Sequence, residues 1–402
     1  MSRKQVTKSL QINSTLSLIE DYDQPITKSK EILEILNSCL NNRCQIEKYI
    51  NHVIYSYTHD NQKEIFLINS ITYLSNPHPI YKKRCQLKKW QQEYYNKNKH
   101  LYKIHLLGLY HYEGVIVFVD FDIADYNSKN WNSSSAHVYI NDIYHAITEG
   151  IFTKIDMKGN HIYCIVSHQF QKYLNSQINN NNNSLTVFQE FNALFPFNQW
   201  LKSNVCIEEM KDNNWSKWKE TEWAGWWLEY QFSKFLNENE YNNIIVYAPH
   251  NINPNMLDFD LFFVDKKFYG DLKASDISKS QVPGNDKNAI CEAINKGGKL
   301  WYVIYEHETV LDKNQNNEMA INRMELLGYQ YSPGDKISYA SRMKHSVNFK
   351  RMIILELNRI NLYDIVSTFN QGRQPNGTSR NPKFLINKKN IDNYIIYSYC
   401  VK

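Results

Sequence analysis

Acidic residues and a lysine are set into a segment that otherwise reads as apolar strands. In MLDFDLFFVDKKFYGDLKAS (256–275), Asp258 and Asp260 precede one apolar run, and Asp271 and Lys273 follow the next. Charge carried into a sheet costs free energy unless it is paired, hydrogen-bonded or bound to a metal. Side chains alternate faces along a strand. Leu257, Phe259, Leu261 and Phe263 should then share one face of the first arm, with Asp258, Asp260, Phe262 and Val264 on the other. In the second arm Phe268, Gly270, Leu272 and Ala274 should oppose Tyr269, Asp271, Lys273 and Ser275. A turn at Asp265-Lys266-Lys267 gathers Asp258, Asp260, Asp271 and Lys273 at one end of one face. Carboxylates so close repel unless a cation lies between them. Such oxygen ligands suit a hard ion like Mg2+, completed by water and phosphate oxygens. The lysine on the same side can hold a water or stabilise charge building on a phosphate.

The flanking elements must position these groups. TEWAGWWLEYQFSKFLNENEYNN (221–243) predicts a helix that buries most of its rings, and NIIVYAP (243–249) predicts a strand. After the hairpin, DKNAICEAINKGG (286–298) predicts a helix with a glycine stop, and KLWYVIYEHE (299–308) a strand. The order is helix, three strands, helix, strand.

LDFDLFF and FYGDLKAS resemble the signature of the PD-(D/E)xK nuclease superfamily, the restriction-endonuclease-like fold. Asp260 is the better match to that family's first acid, with Asp258 one pleat before it, and Asp271 and Lys273 match its D-x-K element. Gly225 and Glu229 fit the G-x-x-x-E pattern of the family's preceding helix, with Glu222 a weaker match. The proline of the motif is missing, since Met256-Leu257 precede the acids. D-x-K alone is common, and the weight lies in its combination with the upstream acid, the Glu helix and the element order. The resemblance spans residues of about 220–306. It implies an α/β fold with an αβββαβ core and a mixed central sheet, joined to an N-terminal α+β domain. It further implies Mg2+-dependent hydrolysis of phosphodiesters. Asp260, Asp271, Glu229 and the Leu272 carbonyl would hold the ion, and Lys273 would position the attacking water. A type II restriction endonuclease is the expected member: a homodimer on double-stranded DNA, with a methyltransferase acting on the same site. An RNA-cleaving toxin or another phage-defence nuclease on the same core is the alternative.

Three further readings compete. VIVFVDFDIAD (115–125) resembles the nucleophile motif of haloacid-dehalogenase-type phosphatases, but after Ile123 it has Ala124 where a Thr or Val is usual. Asp120, Asp122 and Asp125 are therefore read as strand-end or loop acids. An inactive nuclease fold that only binds nucleic acid is countered by Asp260, Asp271 and Lys273 occurring together. A surface hairpin with exposed ion pairs is countered by the apolar run around Leu261 and Phe263.

The domain boundary is expected between the asparagine run (179–183) and NQWLKSN, giving an N-terminal DNA-recognition domain (1–196) and a nuclease domain (197–402). Residues 29–57 carry apolar positions at helical spacing. YKKRCQLKKWQQEYYNKNKHLYK (81–103) sets Lys88 and Lys89 beside Trp90, Tyr94 and Tyr95, as a phosphate grip or as a solvated helix face. Arg373 and Arg380 on QGRQPNGTSRNPK (371–383) are further candidates for nucleic-acid contact. His137, His145, His307 and His345 are isolated and read as ordinary hydrogen-bonded histidines.

The bulk numbers constrain rather than decide. Among 402 residues, 46 Lys and Arg against 41 Asp and Glu leave +5, which permits a nucleic-acid partner without requiring one. Seven scattered cysteines without a C-x-x-C pair argue against a disulfide framework or structural zinc and fit a reducing cytosol. The start lacks a signal-peptide apolar region and no run approaches membrane-spanning length, so a cytoplasmic protein without membrane partners is expected.

Overall fold

The computed structural model describes residues 7–59, 62–127, 135–156, 159–175, 183–335, 337, 343–370 and 380–401. The chain clusters into two units, Met1–Asn179 and Asn180–Lys402. The division falls before residue 197 because the intervening residues belong to the second core. There Phe188 stacks on Phe232, ring centroids 5.1 Å apart, and Phe195 packs on Tyr305 at 5.0 Å.

The first unit contains β1 (Ser9–Ile12), β2 (Leu18–Asp21), α1 (Ser29–Cys39), β3 (Cys44–Tyr49), β4 (His52–His59), β5 (Gln62–Tyr73), β6 (Lys82–Gln86) and α2 (Lys89–Asn98). It continues with β7 (Lys103–Tyr112), β8 (Val115–Phe121), α3 (Ile123–Tyr126), β9 (Ser135–Tyr139), α4 (Ile140–Glu149), β10 (Ile151–Ile155), β11 (His161–Val166) and α5 (Phe170–Asn175). Nine strands form a mixed sheet in the order β10-β11-β8-β7-β5-β4-β3, with β6 paired to β5 and β9. Only α1 survives from the helical spacing of residues 29–57. Asn41 and Asn42 take left-handed backbone angles (φ 53° and 59°), tolerated by asparagine, and the β-branched residues beyond them form the β3–β4 hairpin. Ile32 and Leu36 of α1 pack on Tyr55, Tyr57, Phe66 and Leu107 of the sheet.

The second unit contains α6 (Asn183–Leu194), β12 (Trp200–Lys202), α7 (Ser203–Asp212), α8 (Trp223–Glu238), β13 (Ile245–Tyr247), α9 (Pro249–Ile252), β14 (Leu261–Phe263) and β15 (Phe268–Asp276). It continues with β16 (Gln281–Asp286), α10 (Lys287–Gly297), β17 (Lys299–Leu311), α11 (Glu318–Leu326), β18 (Lys344–Asn358), α12 (Leu362–Ile365), β19 (Val366–Phe369), β20 (Lys383–Asn387) and β21 (Ile395–Cys400). The central sheet runs β12-β18-β17-β15-β14-β13, with β21 on β18, and β16-β20-β19 form a separate small sheet. β15 and β17 are parallel and the other pairs of the central sheet antiparallel. The crossover between those parallel strands contains α10, as parallel pairing requires.

Helices cover both faces of this sheet. Ile290, Ala293 and Ile294 of α10 join Tyr269, Leu300, Tyr302 and Ile304 in one core. On the opposite face Phe263, Phe268 and Trp301 pack within 4.8 Å of one another, centroid to centroid, and Phe263 meets Phe188 of α6. Such ring pairs contribute about 0.5–1.5 kcal/mol each beyond their burial. Gly270 makes the packing possible, because a Cβ there would lie 2.7 Å from the Phe263 ring.

The hairpin departs from the expected alternation at one point. β14 begins only at Leu261, and Leu257–Asp260 form a turn in which the Phe259 N–H bonds the Leu257 carbonyl at 3.0 Å. Phe259 consequently packs on Tyr269, on the face of Asp271, instead of sharing a face with Leu261 and Phe263.

Candidate functional site

The β14–β15 ladder ends at the Leu261–Gly270 pair. The Leu272 N–H, next in line toward β14, is met by Asp260 Oδ2 at 2.9 Å. That bond fixes Asp260 beside Asp271, the residue that precedes Leu272 on β15. Asp271 is 1% exposed; Lys273 pairs with its Oδ2, and Asn285 Nδ2 donates to its Oδ1 at 3.1 Å. α8 brings in Glu229, buried, whose Oε2 accepts the Tyr247 hydroxyl of β13 at 2.6 Å. Lys273 keeps 26% of its side chain in solvent, so the cluster has an open side.

The electrostatics record an excess of negative charge. Burial, followed by the Asp271 and Glu229 charges, pushes the Asp260 carboxyl well above the usual carboxylate range. Burial raises Glu229 to about 7, with Asp271 adding to it, while the Tyr247 bond and Lys273 pull the other way. Burial alone would lower the Lys273 ammonium, but Asp271 and Asp260 outweigh it and hold it above its ordinary value. Three carboxyls thus lie within electrostatic reach of one lysine.

Asp260, Asp271, Lys273 and Glu229 come together, and Leu272 enters through its N–H. Asp258 is exposed and stands outside the group, and Glu222 is exposed at the start of α8, 3.5 Å from Lys344. Of the nucleic-acid candidates, Lys88 and Lys89 are exposed at the head of α2, Lys89 lying 3.6 Å from Glu93. Lys83 in the same basic run is fully buried on Asp23 at 2.6 Å, so that run is not one continuous basic face. Arg380 is exposed, and Arg373 lies outside the described residues. The histidines have ordinary partners: His145 with Glu149 and His345 with Glu318, both at 3.1 Å, and His307, pushed down to about 3 by burial, with Thr309 at 3.0 Å. His137 lies on β9.

A second acidic group stands in the first unit. Asp122, Asp125 and His161 place one donor atom each within 4.8 Å of one another, half-buried at the end of β8 and the start of β11. The set is able to chelate a divalent ion and sits within the mixed-sheet unit. Asp122 caps α3 by accepting the Ala124 N–H at 3.0 Å. Asp125 Oδ2 accepts the His161 N–H at 2.7 Å and lies 3.1 Å from the ring Nδ1. Burial, then Asp125 and Asp120, raise the Asp122 carboxyl. His161 escaped sequence reasoning because no local motif surrounds it; only the β8–β11 pairing brings it to the aspartates.

Asp120 is buried away from that group. It bonds His105 and accepts the Tyr173 hydroxyl at 2.8 Å, while the other ring nitrogen of His105 meets Glu64 at 2.9 Å. Burial opposes the charge on His105, but Asp120 and Glu64 prevail and hold it at about 9. An acid so engaged, on a strand with antiparallel neighbours, does not make the accessible nucleophile of a phosphatase.

Residues 63–174 match the family described as Methylase-associated X1. The matched stretch contains Asp122, Asp125 and His161 and ends before Glu229, Asp260, Asp271 and Lys273. No curated protein and no solved structure matches the chain.

Proposed function

We propose that this chain is a Mg2+-dependent nuclease whose active site is built from Glu229, Asp260, Asp271 and Lys273. The observation that carries the reading is that three carboxyls, Glu229 from α8, Asp260 just before β14 and Asp271 of β15, act on one ammonium, that of Lys273, which pairs directly with Asp271. The succession α8, β13, β14, β15, α10, β17 supports a restriction-endonuclease-like core, to which β16, β18 and the C-terminal strands are additions.

Asp260, Asp271, Glu229 and the Leu272 carbonyl would hold the ion, which when bound supplies positive charge to the scissile phosphate and lowers the pKa of a water. The chain's own groups do the rest. Lys273, charged and partly open to solvent, orients the attacking water and stabilises the oxygens of the phosphate as their charge grows. Asp260 is held in place by the Leu272 N–H and needs no rearrangement to present its second oxygen. Tyr247 holds Glu229 toward the cluster.

The substrate we assign is double-stranded DNA, cut by a type II restriction endonuclease acting in the cytoplasm in phage defence. Cutting both strands calls for two sites, hence a homodimer. The first unit would read the DNA, with Lys88 and Lys89 as phosphate contacts, and Arg373 and Arg380 of the second unit would add further ones. A DNA methyltransferase acting on the same site would complete the system, in keeping with the likeness of residues 63–174 to a methylase-associated family. Digestion of plasmid DNA with Mg2+ should give a defined band pattern, lost on chelation. Cleavage of RNA alone would replace the restriction reading with that of an RNA-cleaving toxin.

A further inference from the structure

Asp271 is held from two sides, and only one of its partners belongs to the four side chains described above. Lys273 takes Oδ2, while Oδ1 accepts from the amide of Asn285, a residue of β16 outside the central sheet. The amide has one chemically consistent orientation. A carboxylate only accepts, so Nδ2 faces Asp271 and Oδ1 faces the Tyr302 hydroxyl, which donates to it at 3.1 Å. The same hydroxyl accepts the Asn285 backbone N–H at 3.0 Å. Tyr302 is fully buried on β17 beside β15, where its register partner is Asp271.

The local backbone is arranged to deliver this contact. β16 pairs with β20, and its register shifts between Pro283 and Asp286, the irregularity that contains Gly284 and Asn285. A bulge re-aims the side chain it carries. Gly284 allows the close approach, since a Cβ there would lie 3.0 Å from the Phe384 carbonyl oxygen and 3.1 Å from the Tyr302 hydroxyl. The small C-terminal sheet therefore places one amide against the buried acid.

We propose that Asn285 is a positioning residue for the nuclease site: its amide, locked by Tyr302, fixes the Asp271 carboxylate in the orientation that receives the divalent ion. The inference rests on the reading of Glu229, Asp260, Asp271 and Lys273 as that site. Outer partners of this kind typically govern metal affinity or rate by about 10–100-fold.

The test is Mn2+ binding, followed by electron paramagnetic resonance, together with plasmid cleavage and metal-free melting. It is made on the full chain, on Asn285→Ala, Tyr302→Phe and Asp271→Asn. Asn285→Ala should weaken Mn2+ binding at the site about 10–100-fold and lower kcat, with KM for DNA unchanged. Tyr302→Phe keeps the buried ring and should weaken Mn2+ several-fold; it carries the test if Asn285→Ala fails to fold. Wild-type Mn2+ affinity in the folded Asn285 variant, or in Tyr302→Phe if that variant does not fold, beside lost binding in Asp271→Asn, overturns the positioning role alone. Wild-type binding and cleavage in Asp271→Asn overturn the site assignment and the inference with it.

Discussion

The two acidic groups of this protein differ in what their carboxylates already do. In the first unit, Asp122 caps a helix turn and Asp125 holds the N–H and ring of His161, so each acid has a structural task and remains half-buried. In the second, Asp271 pairs with Lys273, and burial with neighbouring charge raises the Asp260 and Glu229 carboxyls above the ordinary carboxylate range. Among the described residues, donor atoms of three such side chains lie within 4.8 Å of one another only in the first group. Of the two, the second sets buried carboxyls that resist ionisation beside a partly exposed ammonium, the kind of perturbed cluster found at functional sites.

The largest effects that separate the two groups are catalytic. Asp271→Asn and Lys273→Ala should each lower plasmid cleavage by about 10³-fold or more without loss of folding, as removal of a charged transition-state partner does. Asp125→Asn should leave the cleavage rate within about twofold of wild type. The reverse pattern would move the active site to the first unit.

Next comes stability. Asp120→Ala removes one of the two carboxylates that pair with the charged His105, together with the acceptor of the Tyr173 hydroxyl, and should cost about 3–5 kcal/mol in urea unfolding, as breaking a buried charge pair does. An unchanged midpoint would show that this network is not structural.

A pH dependence sharpens the contrast further. Folded Glu229 keeps its proton to about pH 7, whereas the unfolded chain loses it near the ordinary 4.5. Between those values the folded state binds more protons, so the metal-free protein loses stability as pH rises from about 4.5 to about 7. Glu229→Gln should flatten that slope in melting curves taken across the range. Divalent-ion affinity should rise over the same interval, because the ion requires the ionised carboxylate.

The smallest effect is expected at the exposed lysines. Lys88→Ala and Lys89→Ala should leave stability unchanged and reduce the salt slope of DNA binding by about one each, measured by titration at several ionic strengths. An unaltered slope would remove α2 from the DNA-contacting surface.

The sequence exposed the second group and hid the first for one reason. Asp260, Asp271 and Lys273 lie on neighbouring segments of a local hairpin, where alternation and a short turn place side chains without knowledge of the rest of the chain. The helix carrying Glu229 was legible from its ring-rich face. His161 reaches Asp125 only through strand pairing across the sheet, and Asn285 reaches Asp271 only through a bulge in β16, a strand that Pro283 and Gly284 disguise. Residues 40–59 misled because β-branched residues spaced three and four apart also satisfy a hairpin once Asn41 and Asn42 turn the chain. Lys83, one of a run of basic residues, proved to be buried because Asp23, remote in sequence, supplies its counter-charge.

Anomalous diffraction at the manganese edge from crystals of the protein grown with Mn2+ tests the central claim most directly. The account predicts an anomalous peak coordinated by Asp260 and Asp271, which disappears in Asp271→Asn crystals. A peak confined to Asp122, Asp125 and His161, with none at Asp260 and Asp271, would contradict it.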